Sequence, residues 1–386
     1  MSVSAKSVGL FLCASLLTAV AVAAFDFAID PLQLFHAARF TKAFYTSDDR
    51  MRAAGLIRSL NFDTVFIGTS LAVHFRPSEI DKALGVKSVK LAMSGSTSPE
   101  QHFAIQTAIA VKHPKEVIWE MDDWIFRDAP DVDSDAYFPA DLYRRNPRGI
   151  AGYLLSLDTA RESIWLMLRH IKLLDDLALR LTWAGYLKYN NDNVDEIGTV
   201  PMYVDQKALY GAGKAMASYQ HYRKAPAEMS VGCDYDAMVR NFDRDALDLI
   251  RRNPDVRFVV YFPPYSILQF VVMRDAAPAT LKIVYDFTAY ASRRLTQFPN
   301  VRLHDFREAS EVTHDLNNYA DVVHHSPTVD LKELSWLAEG KYVVDREAPT
   351  APLERLKAQV EAFQIDESDR RAEAVKPGTD ASGTGQ

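Results

Sequence analysis

Residues 61–73 read NFDTVFIGTSLAV, an apolar run that ends on Gly68, Thr69 and Ser70. Because short apolar runs rich in β-branched and aromatic residues are typical of buried strands, TVFIG predicts a strand. Two interpretations fit its end. A Gly-x-Ser sequence after a strand is most often a simple turn, but it is also a place where a strand presents a serine nucleophile. The rest of the chain has to distinguish them.

The same alternation of apolar runs and helical periods continues along the chain. Further strands are predicted at VKLAMSG, EVIWEMDD, VRFVVYFPP and VRLHDF, and helices at residues 98–113, 235–253 and 279–297 and after Pro77 and Pro327. Strands that alternate with helices are typical of a parallel sheet covered by helices on both faces. The sequence therefore predicts an α/β fold, a three-layer α/β/α sandwich with a central, mainly parallel sheet of the flavodoxin-like kind.

One long segment, residues 128–230, interrupts this rhythm. Its centre, residues 151–187, has helical spacing, and its flanks are polar and rich in tyrosine. We predict a largely helical insertion within an α/β domain of residues 61–345, placed so that it caps or borders a site. Residues 366–386 contain almost no apolar side chains, which predicts a disordered tail.

The N-terminus carries an uncharged run, VGLFLCASLLTAVAVAAF at residues 8–25. As a helix it would be about 27 Å long, close to the thickness of a bilayer core, so residues 1–25 are predicted to be a signal anchor. The small residues at 21–24 leave a cleaved signal peptide as the alternative. Residues 26–60 would then be a membrane-proximal segment.

The charges around this run predict its orientation. Lys6 precedes it, and Asp26 and Asp30 follow it, which favours a cytoplasmic N-terminus in the inner or plasma membrane and an extracytoplasmic, periplasmic main domain. Cys13 lies within the run, so Cys233 is the only cysteine left for the exported part and no intramolecular disulfide is available there.

Composition limits the classes of function. The 386 residues are 48% hydrophobic, enough for a large core, and the formal net charge of -7 argues against nucleic acid as a partner. A Gly-rich phosphate loop is missing, so no nucleotide cofactor is expected. The pair His324-His325 lacks the spaced partners of a zinc site, so we expect no metal and treat His325 as a bystander.

Candidate catalytic residues follow three predicted strands and one late loop. Functional groups of parallel sheets gather at the carboxyl ends of strands, where this chain has Ser70, Gly95 and Asp122. A serine needs an imidazole to take its proton and a carboxylate to orient that imidazole, and the loop NNYADVVHHSP contains both in Asp321 and His324. The backbone N–H groups of Ser70 and Gly95 could stabilise an oxyanion.

Plainer roles compete with these functional ones. Gly95 is equally explained by a tight turn that needs a positive φ. Asp122 and Asp123 could lie near a substrate, but a helix cap and a solvated charge explain them as well. Trp124 could stack on a sugar, whereas Trp119, inside a predicted strand, is better explained by core packing.

In the same chain order, these residues resemble the sequence blocks of SGNH/GDSL hydrolases. Gly68-Thr69-Ser70-Leu71 resembles the first block, Gly95 the glycine block and Asp321-x-x-His324 the last block. The N-terminal run followed by DPLQLF, together with HFRPSEID and KLAMSGSTSPEQ, is similar to the membrane-anchored extracytoplasmic branch. That branch includes the D-alanylation protein of teichoic acid synthesis and alginate-type O-acetyltransferases. The resemblance covers residues 26–340 and is thin across the insertion.

The resemblance implies a serine acyl-esterase or O-acyltransferase that acts on acyl esters, foremost acetyl esters, of a cell-surface or exported polysaccharide. Ser70 would be the nucleophile, His324 the base and Asp321 the orienting carboxylate, with no cofactor. A multi-pass membrane O-acyltransferase is the implied protein partner. The sequence leaves hydrolysis and transfer open.

One departure from the family pattern favours a second hypothesis. The asparagine of the third block is missing, and EVIWEMDDWIF offers Asp122 and Asp123 in its place. An ionised carboxylate cannot donate a hydrogen bond to an oxyanion. The alternative is therefore an inactive SGNH-like domain that binds polysaccharide or scaffolds a membrane synthesis complex.

Overall fold

The structure, a computed structural model, describes residues 5–39, 48–127, 138–169 and 209–365. The predicted disordered tail and residues 128–137 and 170–208 of the predicted insertion lie outside these ranges. The chain divides into two compact units. The first comprises Met1–Glu120, Ala129–Pro201 and Asp243–Val259, and the second Met121–Asp128, Met202–Phe242 and Val260–Gln386.

A central five-stranded parallel sheet confirms the predicted α/β class. Its strands are β1 (Thr64–Gly68), β2 (Ser88–Ala92), β3 (Glu116–Glu120), β4 (Arg257–Phe262) and β5 (Val301–Asp305), in the order β2-β1-β3-β4-β5. β1 lies between β2 and β3 and pairs with both in parallel, with Gly68 opposite Ala92. This is the flavodoxin-like order, in which ligands bind beyond the carboxyl ends of the strands at the β1/β3 switch point.

Helices account for most of the remaining described residues. The first unit contains α1 (Ala5–Ile29), α2 (Asp49–Ser59), α3 (Pro77–Leu84), α4 (Ser98–Lys112), α5 (Ala140–Arg144), α6 (Pro147–Leu154), α7 (Leu157–Arg169) and α11 (Asp248–Arg252). The second contains α8 (Ala212–Lys224), α9 (Pro226–Met229), α10 (Tyr235–Phe242), α12 (Ile267–Ala276), α13 (Pro278–Leu295), α14 (Ser310–Thr313), α15 (Pro327–Glu339) and α16 (Ala351–Ala362). The described parts of the insertion are helical, as predicted.

Four helices were not predicted. α2 lies in the segment that the sequence described only as membrane-proximal, and α12, α14 and α16 lie outside the predicted helices. The helix predicted over residues 235–253 is divided, because a π-helical turn at Asp243–Leu247 separates α10 from α11.

α1 contains the one segment of the described chain, Lys6–Ile29, that is long and apolar enough to cross a membrane. Large apolar side chains along it, such as Leu10, Phe11 and Leu17, are exposed. The helix ends before Pro31, which cannot continue it, and its C-terminal part packs against α6 and α7.

A cluster of hydrogen bonds around Asp30 fixes the chain at the end of α1. The buried carboxylate of Asp30 accepts hydrogen bonds from the Tyr153 hydroxyl of α6 at 3.0 Å and from three following backbone N–H groups, those of Leu34, Phe35 and His36, at 2.7–3.0 Å. Burial and the nearby negative charge of Asp30 raise the pKa of Tyr153, so the hydroxyl keeps its proton. The chain direction after the apolar helix is thereby fixed.

Gly68 ends β1 where no side chain fits. A Cβ added there would lie 2.7 Å from the Cβ of Ala72 and 2.8 Å from the Cβ of Glu120, closer than van der Waals packing allows. A glycine is therefore required by the approach of β3 and of the chain after β1.

We predict that Gly68→Ala lowers the free energy of unfolding by about 1–3 kcal/mol, the usual cost of an overpacked core. Gly152→Ala is the control, because an added Cβ on this exposed helical glycine meets nothing within 4 Å. It should raise stability by about 0.5–1 kcal/mol. Chemical denaturation of the detergent-solubilised chain measures both, and equal stabilities of the two variants would contradict the packing argument.

Candidate active site

The chain after β1 is held by a carboxylate from the neighbouring strand. Ser70 begins a short 3₁₀ helix, Ser70–His74, and is partly exposed. The backbone N–H and the hydroxyl of Thr69 donate to Oε1 of Glu120, at 3.2 and 3.3 Å. Glu120 is fully buried at the end of β3. It therefore fixes the backbone immediately before the candidate nucleophile.

A buried lysine holds the other end of the same helix. Nζ of Lys90, on β2, donates to the carbonyl oxygens of Val73 and Phe75 at 2.7 Å each. A cation is favourable there because carbonyl groups at a helix C-terminus lack partners within the helix. The Ser70 segment is thus fixed at both ends, by the Glu120 side chain before it and by the Lys90 side chain after it.

Sequence reasoning missed Glu120 and Lys90, although a signal was present. Both lie inside runs that were read as buried strands, EVIWE and VKLA. Charged residues are almost never fully buried without partners, so a charge in a buried strand indicates a specific contact.

The loop after β2 has the tight turn expected at Gly95. Gly95 has a φ of 62°, and the N–H of Ser96 donates to the carbonyl of Met93 at 3.0 Å. The Ser96 hydroxyl accepts from Nε2 of Gln101 at 2.9 Å, and Oε1 of Gln101 accepts from the indole of Trp119 at 2.7 Å. Trp119 is fully buried, as its predicted core role requires.

Strand pairing brings the Ser70 and Gly95 loops to one edge of the sheet. β1 and β2 are parallel neighbours, with Gly68 opposite Ala92. Their carboxyl ends therefore meet at the same edge, and each loop leaves the sheet there. This placement, in the first unit, is what an oxyanion hole built from the two backbone N–H groups requires.

Asp321 and His324 form a close pair in the second unit. Oδ2 of Asp321 lies 2.7 Å from Nδ1 of His324, and Oδ1 accepts from the backbone N–H groups of Val323 and His324 at 2.7 Å. The carboxylate thus fixes both the ring and the loop beneath it. With Nδ1 bound to Asp321, proton exchange with a substrate is left to Nε2.

The pKa values of His324 and Asp321 are shifted in opposite directions from their ordinary values. Burial lowers the pKa of His324, but the hydrogen bond and charge of Asp321 outweigh burial and raise the pKa above 6.5. Burial is the largest influence on the pKa of Asp321 and raises it, but the hydrogen bonds and charge of His324, together with the N–H of Val323, outweigh burial and hold the pKa below 3.8. A raised imidazole pKa beside an ionised carboxylate is the electrostatic arrangement of a general base.

Asp123 is not the solvated charge that the sequence predicted. Its carboxylate pairs with Arg127 at 2.8 Å, and their side chains are only 9% and 3% exposed. The guanidinium also lies 3.9 Å from the ring centre of Trp124 and covers one face of the indole. A sugar could therefore stack only on the other face of Trp124.

Asp122 is the helix cap that the sequence offered as its plainer role, with an added chemical property. Its Oδ1 accepts from the N–H of Trp124 at 2.9 Å. Burial, and secondly the charge of Asp123, raise the pKa of Asp122 from 3.8 to about 7. The sequence analysis treated this group as ionised. A carboxyl group that keeps its proton near neutral pH can donate a hydrogen bond.

A small pocket lies beside Asp122 in the second unit. Its lining includes Tyr265, Phe287 and Arg307. Arg307 is buried and pairs with Asp305 at 2.6 Å. The aromatic rings therefore give the pocket an apolar wall. The charged side chains in its lining, Asp123 and Arg307, are each paired with an oppositely charged side chain.

His325 has partners that the sequence interpretation did not find. It is fully buried, with its ring nitrogens 3.1 Å from a carboxylate oxygen of Asp330 and from one of Glu333. These acids lie five and eight residues downstream on α15, a spacing that is close in space only because the chain turns into a helix at Pro327.

The predicted site residues are thus distributed over both units. The first contains Ser70 and Gly95, and the second contains Asp122, Asp123, Trp124, Asp321 and His324. No protein-family model matches the sequence, and a search of curated proteins gives no match.

We predict that Asp122→Asn stabilises the chain increasingly as pH rises. The folded-state pKa of about 7 exceeds the unfolded value, so the native carboxyl lowers stability progressively between about pH 4 and 7. The asparagine lacks this effect, and its advantage should reach about 2–4 kcal/mol at pH 8.

Denaturation of both proteins from pH 4 to 8 measures this difference. Asp286→Asn, an exposed carboxylate paired with Lys282, is the control and should show no divergence with pH. Parallel stability curves for Asp122→Asn and the parent would show that Asp122 titrates normally.

Proposed function

We propose that this chain is a membrane-anchored, extracytoplasmic serine acyl-esterase or O-acyltransferase of SGNH type. The observation that supports it best is the 2.7 Å contact between Asp321 and His324, which orients an imidazole with a raised pKa. Ser70, at the carboxyl end of β1 beside the switch point of the sheet, supplies the nucleophile.

The reaction uses only groups of the chain. Oγ of Ser70 attacks the ester carbonyl and gives its proton to Nε2 of His324. His324 returns that proton to the leaving alkoxide, which departs as an alcohol and leaves an acyl group on Ser70. An acceptor hydroxyl then loses its proton to His324 and attacks the acyl group, and the proton returns to Ser70.

Three donors would stabilise the oxyanion in both steps. The backbone N–H groups of Ser70 and Gly95 supply two. We propose the protonated carboxyl of Asp122 as the third, in place of the asparagine of the family pattern. This donor exists only while Asp122 keeps its proton, so activity should decline above about pH 7.

The acceptor decides the product. Water gives an esterase, and a sugar hydroxyl gives a transferase that acts on a cell-surface or exported polysaccharide. Lys6–Ile29 anchors the chain in the inner or plasma membrane with its N-terminus in the cytoplasm. A multi-pass membrane O-acyltransferase that delivers the acyl group is the partner we propose, and no cofactor is needed.

A fluorophosphonate tests the nucleophile without knowledge of the acceptor. The detergent-solubilised full chain should gain one phosphonyl adduct on Ser70, mapped by mass spectrometry, and should cleave a chromogenic acetyl ester. Ser70→Ala and His324→Ala should lose both properties. Ser335→Ala and His221→Ala, at exposed positions in the second unit, should retain them.

The inactive alternative makes the opposite prediction. A chain that is folded, unlabelled and without turnover would be a polysaccharide-binding or scaffolding domain. Labelling of Ser70 without hydrolysis would indicate a transferase that requires its own acceptor.

We predict that Asp321→Asn lowers kcat for the chromogenic ester by roughly 10³–10⁴-fold, because the imidazole loses its orienting carboxylate. The acid limb of the kcat/KM profile should also move to lower pH. His324 must be neutral to act as a base, and Asp321 raises its pKa. A pH–rate series on both proteins measures the change, and an unmoved limb would assign it to a group other than His324.

A further inference from the structure

The loop that contains Asp321 and His324 is closed by its own backbone. The N–H of Ala320 donates to the carbonyl of His324, and the N–H of Ser326 donates to the carbonyl of Asn318, both at 2.8 Å. Tyr319 and His325 form an antiparallel bridge across the loop. A change in the position of Tyr319 or His325, which close the loop, would therefore move His324 relative to Asp321.

The two consecutive histidines have different surroundings. The His324 side chain is 25% exposed, whereas that of His325 is fully buried. Successive side chains of extended backbone point to opposite sides, so one histidine can face a substrate while the next is inserted into the core.

The buried ring lies between two acids one turn apart on α15. Asp330 and Glu333 are at most 2% exposed and lie 3.1 Å from Nδ1 and Nε2 of His325. The contacts are defined by distance, because neither ring nitrogen is aligned for a good hydrogen bond. Polar atoms that are buried this closely together hold the ring in one place between the two acids.

His325, Asp330 and Glu333 each offer one ligand atom within 4.8 Å of the others, so a divalent cation is the competing occupant of this cluster, but the contacts of the ring fit it less well. A metal ion would be bound by one ring nitrogen, with both carboxylates beside that nitrogen. Here each carboxylate lies against a different nitrogen. The nearby Tyr319 hydroxyl donates a hydrogen bond to the carbonyl of Pro264 at 2.7 Å and so has a partner outside the cluster.

We propose that His325 is a positioning residue: held between Asp330 and Glu333, it fixes residues 318–326 to α15 so that His324 stays against Asp321. The consequence for catalysis rests on the proposed function, whereas the positioning itself does not. The first histidine of the pair performs the chemistry, and the second anchors it.

The pKa of His324 is the readout, because a merely structural loss elsewhere would leave it unchanged. In ¹⁵N-histidine-labelled full-length chain in detergent micelles, His324→Gln assigns the His324 ring signals. His325→Gln should lower the pKa of His324 toward 6.5, as the contact with Asp321 loosens. The low-field Nδ1 proton of His324 should broaden or disappear.

Two further variants serve as controls, one for misfolding of His325→Gln and one for nonspecific effects of removing a histidine. Glu333→Gln neutralises one side of the cluster with little change of shape and should produce a smaller shift in the same direction, even if His325→Gln fails to fold. His221→Gln removes an exposed histidine of the same unit and should leave the signals of His324 unchanged.

Two outcomes would overturn the proposal. One is an unchanged His324 pKa and Nδ1 proton in folded Glu333→Gln. The other is one equivalent of a divalent metal in the purified chain, measured by elemental analysis and lost on substitution of His325. An unlabelled Ser70 would instead refute the proposed enzyme and leave the anchoring of His324 intact.

Discussion

The approach of β3 to the end of β1 is the constraint on which the rest of the site depends. Because position 68 has no side chain, the carboxylate of Glu120 reaches Thr69 and holds its N–H and hydroxyl. A methyl group at Gly68 would occupy that space. The position of Ser70 thus follows from strand packing, and the nucleophile that we propose would need no reorganisation before attack.

In each unit, buried polar side chains near the candidate site residues have specific partners. Lys90 faces two carbonyl groups, Arg307 faces Asp305, and His325 lies between two acids. Both cysteines of the chain are free, so no disulfide contributes to stability. Removal of one partner from a buried pair is costly, commonly 3–5 kcal/mol, so these contacts select one arrangement of the loops.

The sequence predicted the elements of this fold better than their tertiary partners. The strands at TVFIG and EVIWE follow from local pattern, and the pairing of Asp321 with His324 follows from their separation within one loop. The contacts of Glu120 with Thr69 and of His325 with Asp330 depend on strand order and on a helix that follows a turn. Asp123 was misjudged for the same reason, because Arg127 becomes its partner only when a 3₁₀ helix forms between them. The raised pKa of Asp122 depends on burial, which no short sequence pattern contains.

The hydrogen bonds around Asp30 have a mechanical consequence. Four hydrogen bonds to one carboxylate, with α6 and α7 packed on α1, join the apolar helix to the first unit without a loose joint. If α1 is anchored in a bilayer as we propose, the first unit would be held at a fixed height and tilt above the membrane surface. Ser70 would then sweep a thin layer parallel to the membrane. If the acceptor is a polysaccharide, as we propose, its chains would be modified within that layer, close to the membrane surface.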